Sequence, residues 1–127
     1  RLFEGSFKNF VFAQVGVVDV GNFKGSSEVD HLKEHIETEG NRYVAYLRHH
    51  GIYAESRCSI GVDVVDELEQ LVTGIREQYP QSVLFGGQLV FKKENFTTRM
   101  LHNYTIFAVQ KRLYHQGIPI VILPIRV

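Results

Sequence analysis

The feature that most constrains this chain is its closing segment, residues 118–125, which is apolar at nearly every position. A strand with one solvated face alternates apolar and polar residues, whereas a strand that is apolar on both faces must be covered on both faces. Such strands are typical of a parallel sheet that lies between layers of helices. Gly117 directly precedes the segment and follows a stretch with helical spacing, so the end of the chain predicts a helix followed by a buried strand.

Strand-like and helix-like patterns alternate along the whole chain. Strands are predicted over 9–20, 52–60, 82–85 and 118–125, and a helical pattern fills each interval between them. Because crossover connections between neighbouring strands are right-handed, this order predicts an α/β fold in three layers, with a mostly parallel four-stranded sheet and helices on both faces. A length of 127 residues suits a single domain over 1–127, with 1–8 as a linker or frayed end.

Several residues predict where the helices begin, end and pack. Ser27 is predicted to cap the first helix, Gly51 to end it, and Asp63 to cap the second. Gly40 falls on the apolar stripe of the first helix and predicts either close packing or a bend. The third helix is predicted to carry one stripe with two flanking apolar residues: Leu101, Tyr104, Thr105, Ala108 and Arg112, flanked by Met100 and Phe107.

Composition excludes some classes of function. Fourteen basic and fourteen acidic residues cancel, which removes the electrostatic basis for binding nucleic acid. The single cysteine, Cys58, cannot form an internal disulfide and indicates a reducing compartment. The sequence has no apolar run of roughly 20 residues that would span a bilayer. Because the chain starts at Arg1 rather than Met, we expect it to be a piece of a longer protein.

Four segments between residues 42 and 87 resemble universal stress proteins: RYVAYLRHHG, IYAESRCSIG, VDVVDELEQL and SVLFGG. The tail GIPIVILPIRV is similar to the closing strand of that family. The chain as a whole more specifically resembles the C-terminal cytoplasmic domain of bacterial amino acid permeases of the amino acid-polyamine-organocation superfamily. The segments that carry this resemblance are VGVVD (15–19), FKG (23–25), ENF (94–96), Arg99, LHN (101–103) and GIPIVILP (117–124).

The resemblance implies a universal stress protein-like (Rossmann-like) fold and a non-catalytic regulatory or dimerisation role. The domain would follow the last transmembrane helix of a permease, on the cytoplasmic side of the inner membrane, with the transmembrane part of its own chain as partner. No cofactor is expected in this role. The transported substrate would be selected by membrane helices that lie outside these residues.

The alternative function is that of a nucleotide- or anion-binding sensor, since many universal stress proteins hold ATP at the strand ends. The glycine pair that follows 82–85 fits the start of their phosphate loop as a sharp turn, but later loop positions carry larger residues. Arg99, His102 and Asn103 form a polar cluster at helical spacing i, i+3 and i+4. The cluster would either contact an anion or partner, or form an ordinary salt bridge with Asn103 as a helix cap. The candidate binding residues are Gly61, Gly86, Gly87, Arg99, His102 and Asn103.

Other chemistry has weaker support in the sequence. His31 and His35 have the i, i+4 spacing that can chelate a metal, but no third ligand is evident. Cys58 lies in the middle of a strand, where a core position is a simpler interpretation than a nucleophile. With no nucleophile–base pair and no convergent carboxylates in the sequence pattern, we expect no enzymatic activity.

The closing strand also bears on assembly. If it lies at an edge of the sheet, the stretch with Ile118 and Leu123 at its two ends would expose unpaired backbone groups, which pairing with a second copy would cover. If the strand is central or covered by a helix, no such pairing is needed. We expect the first arrangement and therefore a homodimer through this strand.

Overall fold

The computed structural model describes residues 5–22, 25–90 and 96–126, with side chains described over 5–21, 25–87 and 104–123. Strands and helices alternate along the chain, which confirms the α/β class. A short 3-10 turn, Val20–Asn22, follows the first strand. The main elements are β1 (Asn9–Val17), α1 (Ser26–His49), β2 (Tyr53–Gly61), α2 (Val64–Gln78), β3 (Leu84–Val90), α3 (Phe96–His115) and β4 (Ile120–Arg126).

The strands pair in parallel, as the sequence predicts. β1 pairs with β2, with Asn9 opposite Tyr53 and Val17 opposite Gly61. β3 pairs with β4, with Leu84 opposite Ile120. Within the described residues each sheet has two strands, and the chain divides into two compact units, Arg1–Ile75 and Arg76–Val127.

In the first unit, α1 lies close against its two strands at glycine positions. Gly40 of α1 is buried, and a Cβ there would collide with Oγ of Ser56 and lie 2.8 Å from Oε1 of Gln14. Gly16 of β1 makes the matching approach from the strand, since a Cβ on it would collide with Ile36. Of the two alternatives predicted for Gly40, close packing or a bend, the structure shows close packing.

Helices α1 and α3 end in the same hydrogen-bonded glycine motif. At the end of α1, Gly51 has a φ of 74°, its N–H donates to the carbonyl of Arg48 (3.0 Å), and the N–H of Ile52 donates to the carbonyl of Leu47 (3.1 Å). The motif recurs at Gly117 (φ 68°), where the N–H of Ile118 donates to the carbonyl of Leu113. This is the Schellman arrangement, in which a left-handed residue lets the last carbonyls find donors.

Of the two helix caps predicted from the sequence, one is confirmed. The carboxylate of Asp63 accepts hydrogen bonds from the N–H groups of Val65 (2.9 Å) and Asp66 (3.1 Å), which confirms it as the cap of α2. The prediction for α1 is wrong. Its cap is Gly25, with no side-chain hydrogen bond, and Ser27 lies inside the helix.

In the second unit, the predicted stripe of α3 is only partly right, since Thr105 and Ala108 are half-buried and its other described members are exposed. Val109 and Leu113 are the buried residues, whereas Tyr104, Phe107 and Arg112 are exposed. The side chains of Leu101 and Met100, also placed on or beside that stripe, lie outside the described residues. The sequence pattern predicts aromatic residues in the core at this helix, but the aliphatic residues Val109 and Leu113 are buried instead. Across the described residues, no helix is both long enough and apolar enough to cross a membrane.

Candidate functional site

The carboxyl ends of β1 and β2 are the candidate site of the first unit, because open parallel sheets bind ligands beyond the carboxyl ends of their strands. The two strands finish together, and the N–H of Val18 donates to the carbonyl of Gly61 at 2.9 Å. α2 begins directly beyond Gly61. Gly61, one of the residues predicted from the sequence, therefore lies at this edge.

The side chain of Glu67, from the first turn of α2, lies directly over Gly61. A Cβ on Gly61 would be 2.5 Å from both Cγ and Cδ of Glu67 and closer still to Oε1. The other carboxylate oxygen, Oε2, accepts a short hydrogen bond from Oγ of Ser59 on β2. The space above Gly61, which a phosphate would need for a close backbone approach, thus holds the protein's own carboxylate.

Two further carboxylates follow the same strand ends. Asp63 accepts from two N–H groups at the start of α2, so the amides that would hold an anion at a helix N-terminus already have a partner. Asp19, after β1, accepts from the N–H of Gly21 at 2.9 Å. These acids give the edge a negative character that opposes a nucleotide phosphate. In the part of the chain described, no three His, Cys, Asp or Glu side chains are grouped as a metal ion requires.

The glycine pair of the second unit is part of a strand, not a turn. Gly86 and Gly87 lie inside β3, opposite Ile122 and Leu123 of β4. A Cβ on Gly86 would be 2.5 Å from Cδ1 of Ile106, so the absence of a side chain lets α3 pack closely on β3. The sequence interpretation of a sharp turn is therefore wrong, because glycine was selected here by packing rather than by backbone conformation.

The polar cluster lies on α3. Arg99, His102 and Asn103 are consecutive members of one helix at i, i+3 and i+4, as predicted, and their side chains lie outside the described residues. The interpretation of Asn103 as a helix cap is wrong, because α3 begins at Phe96. A cap must precede the first helical residues, where N–H groups lack partners.

The remaining candidates are on or near α1. Cys58 is partly buried, and its Sγ is 4.0 Å from Oε1 of Glu37, so the neighbour described for it is a carboxylate and not the histidine base of a nucleophilic pair. Both His31 and His35 are exposed. The arrangement has the features of a structural cysteine and a solvated helix face.

Two features of the structure are not among the predictions made from the sequence. Oε1 of Gln14 is buried with no hydrogen-bond partner among the described residues. On α3, Tyr104, Phe107 and Tyr114 are 72%, 47% and 77% exposed. The spacing of these aromatic residues, i, i+3 and i+10, could have indicated a shared face, but not that the face would point outward.

Comparison of the chain with family models, curated proteins and solved structures finds no match in any of the three.

Proposed function

We propose that this chain is a non-catalytic cytoplasmic domain of an amino acid permease, with a regulatory or dimerising role. The observation that supports the absence of a nucleotide from the strand ends of the first unit is the position of Glu67 over Gly61. Open parallel sheets bind ligands beyond the carboxyl ends of their strands, and Gly61 lies at such an end. Here a carboxylate fills that place and is held by Ser59.

The ligand test is a thermal-shift panel with ATP, ADP and cyclic dinucleotides. A ligand that binds only the folded state raises its stability by mass action. We expect no shift of the unfolding midpoint with any of the three. A dose-dependent rise with one of them would replace this proposal with the nucleotide-sensor alternative.

The proposal includes a homodimer formed through β4. Apolar residues follow one another along this strand, and Leu123 is partly exposed. Adding a strand from a second copy would pair backbone groups along the sheet edge. Sedimentation equilibrium should show a dimer that Leu123→Lys weakens. Val20→Lys is the matched control, because Val20 is an exposed valine in the other unit. A wild-type monomer, or equal effects of both variants, would contradict the dimer.

We also propose that the four strands form one sheet with helices on both faces. In that case both units unfold together. Leu113 is fully buried in the second unit, so Leu113→Ala should destabilise by about 2–5 kcal/mol. If the four strands share one sheet, hydrogen exchange of the Leu113→Ala variant should show lower amide protection than the wild type in all four strands, β1 and β2 included. Loss confined to the second unit would contradict a shared sheet.

The permease assignment has its own test in the gene. If the chain is the cytoplasmic domain of a permease, the upstream reading frame should encode several apolar stretches of about 20 residues each. An upstream frame without such stretches would remove the transporter from the proposal and leave the binding and assembly tests unaffected.

A further inference from the structure

One face of α3 combines exposed aromatic rings with a lysine. Tyr104, Phe107, Lys111 and Tyr114 follow one another at i, i+3, i+7 and i+10, and all four are exposed. We call these four residues the aromatic face. At about 1.5 Å of rise per residue, it extends about 15 Å along the helix. The buried residues Val109 and Leu113 lie on the opposite side, where α3 packs on its strands.

The charged residues at the C-terminal end of the sequence, which includes α3, have a single sign. All fourteen acidic residues of the chain precede residue 95. From 95 to 127 the sequence has four basic residues and no acidic one: Arg99, Lys111, Arg112 and Arg126. The neutral total of the chain therefore conceals a basic C-terminal segment, and α3 carries three of these four charges.

These two properties together match an anionic bilayer surface. Tyrosine has an apolar ring and a polar hydroxyl and is favoured at the boundary between headgroups and acyl chains. Lysine can lay its apolar stem along the surface and keep its ammonium among the phosphates. Helices that lie in the interface plane place aromatic residues toward the acyl chains and lysine or arginine toward the headgroups, and the exposed face of α3 offers both kinds of residue.

We propose that the aromatic face of α3 docks on a membrane surface that contains anionic lipids. A convex helix with widely spaced rings fits a deformable headgroup layer without a matching groove. An acidic protein surface would supply the same charge but would need a concave site shaped to three separate rings. The inference rests on the proposed function in one respect, since a permease domain would already lie beside the inner leaflet.

Co-sedimentation of the full chain with vesicles tests the proposal. One set consists of phosphatidylcholine alone, and the other contains about one third phosphatidylglycerol to give a negative surface. We expect partition onto the anionic vesicles to exceed partition onto the neutral ones by about tenfold or more, and to fall as salt rises. Equal partition onto both, or partition onto neither, would overturn the proposal.

Two variants locate the contact. Lys111→Glu reverses the charge of the aromatic face and should lower anionic-vesicle partition about tenfold. The combined change of Tyr104, Phe107 and Tyr114 to serine should lower it by at least as much, because it removes the apolar contact. Since all four positions are exposed, the thermal midpoint should be close to that of the wild type.

Matched controls come from α1. Lys33→Glu and Tyr46→Ser change an exposed lysine and an exposed tyrosine outside the aromatic face, and neither should alter partition. Equal losses from the controls would overturn the assignment to α3. Loss of a dimer in the triple serine variant, with no vesicle binding by the wild type, would also overturn it and assign the face to self-association. The thermal-shift panel and the β4 dimer test do not depend on vesicle binding. A negative vesicle result would therefore contradict this inference and leave the proposed function unaffected.

Discussion

The carboxylate of Glu67 lies over the backbone of Gly61, in the space where any larger residue at that position would place its Cβ. The hydrogen bond from Ser59 fixes it there. This contact joins the end of β2 to the first turn of α2 and sets the electrostatic character of the strand ends. It also provides the first test of the site's geometry.

Gly61→Ala should destabilise the protein by about 1 kcal/mol, because the new methyl group would displace the carboxylate end of Glu67 and break its hydrogen bond with Ser59. The backbone of Gly61 is not in the left-handed region, so steric overlap is the cause. In the background of Glu67→Ala, the same glycine substitution should cost far less. Urea unfolding of the four proteins of this double-mutant cycle measures the coupling. Additive effects would show that the carboxylate does not occupy this position in solution.

Gly40→Ala and Gly74→Ala form a matched pair within helices. Alanine has the higher helix propensity by about 1 kcal/mol, so Gly74→Ala should stabilise the protein, since no atom lies within 4 Å of the new Cβ. Gly40→Ala should instead destabilise it, because its Cβ would meet Ser56 and Gln14. Thermal unfolding gives the two signs directly. A gain in stability from both changes would refute the close approach of α1 to its strands.

Gln14→Met should stabilise the protein by about 1 kcal/mol or more. The buried Oε1 of Gln14 has no hydrogen-bond partner among the described residues, and an unpaired buried acceptor carries a desolvation cost that the thioether largely avoids. Gln70→Met is the control, because Gln70 is exposed on α2 and its change should be nearly neutral. Chemical denaturation compares the two. A clear loss from Gln14→Met would mean that an ordered water satisfies the oxygen.

Gly51→Ala should lower stability by about 1 kcal/mol, because the left-handed conformation at φ 74° is unfavourable for a residue with a Cβ. Gly51→Asn should cost less, since asparagine tolerates that conformation better. The order glycine, asparagine, alanine in unfolding midpoints is the expected result. Equal midpoints for alanine and asparagine would indicate that the end of α1 rearranges.

The local patterns of the sequence predicted much of this structure. The alternation of strands and helices, Asp63 as a cap, and Gly51 and Gly117 as helix ends follow from neighbours a few residues apart, and the parallel pairing follows from the order of the elements. The errors have a different origin. Adjacent glycines are typical of a turn, but Gly86 and Gly87 lie in β3. An aromatic residue on an apolar stripe is typical of a core, but Tyr104 is exposed.

The sequence by itself determined the order of strands and helices and the class of fold, because hydrogen bonding along the backbone and the period of apolar residues are local properties. Only the tertiary structure decided the chemistry of the strand ends, the packing role of Gly86 and the side of α3 that faces outward. Each of these depends on which distant side chain fills a given space: Glu67 over Gly61, and Ile106 over Gly86. Contacts of this kind leave no spacing or periodicity in the sequence from which they could be predicted.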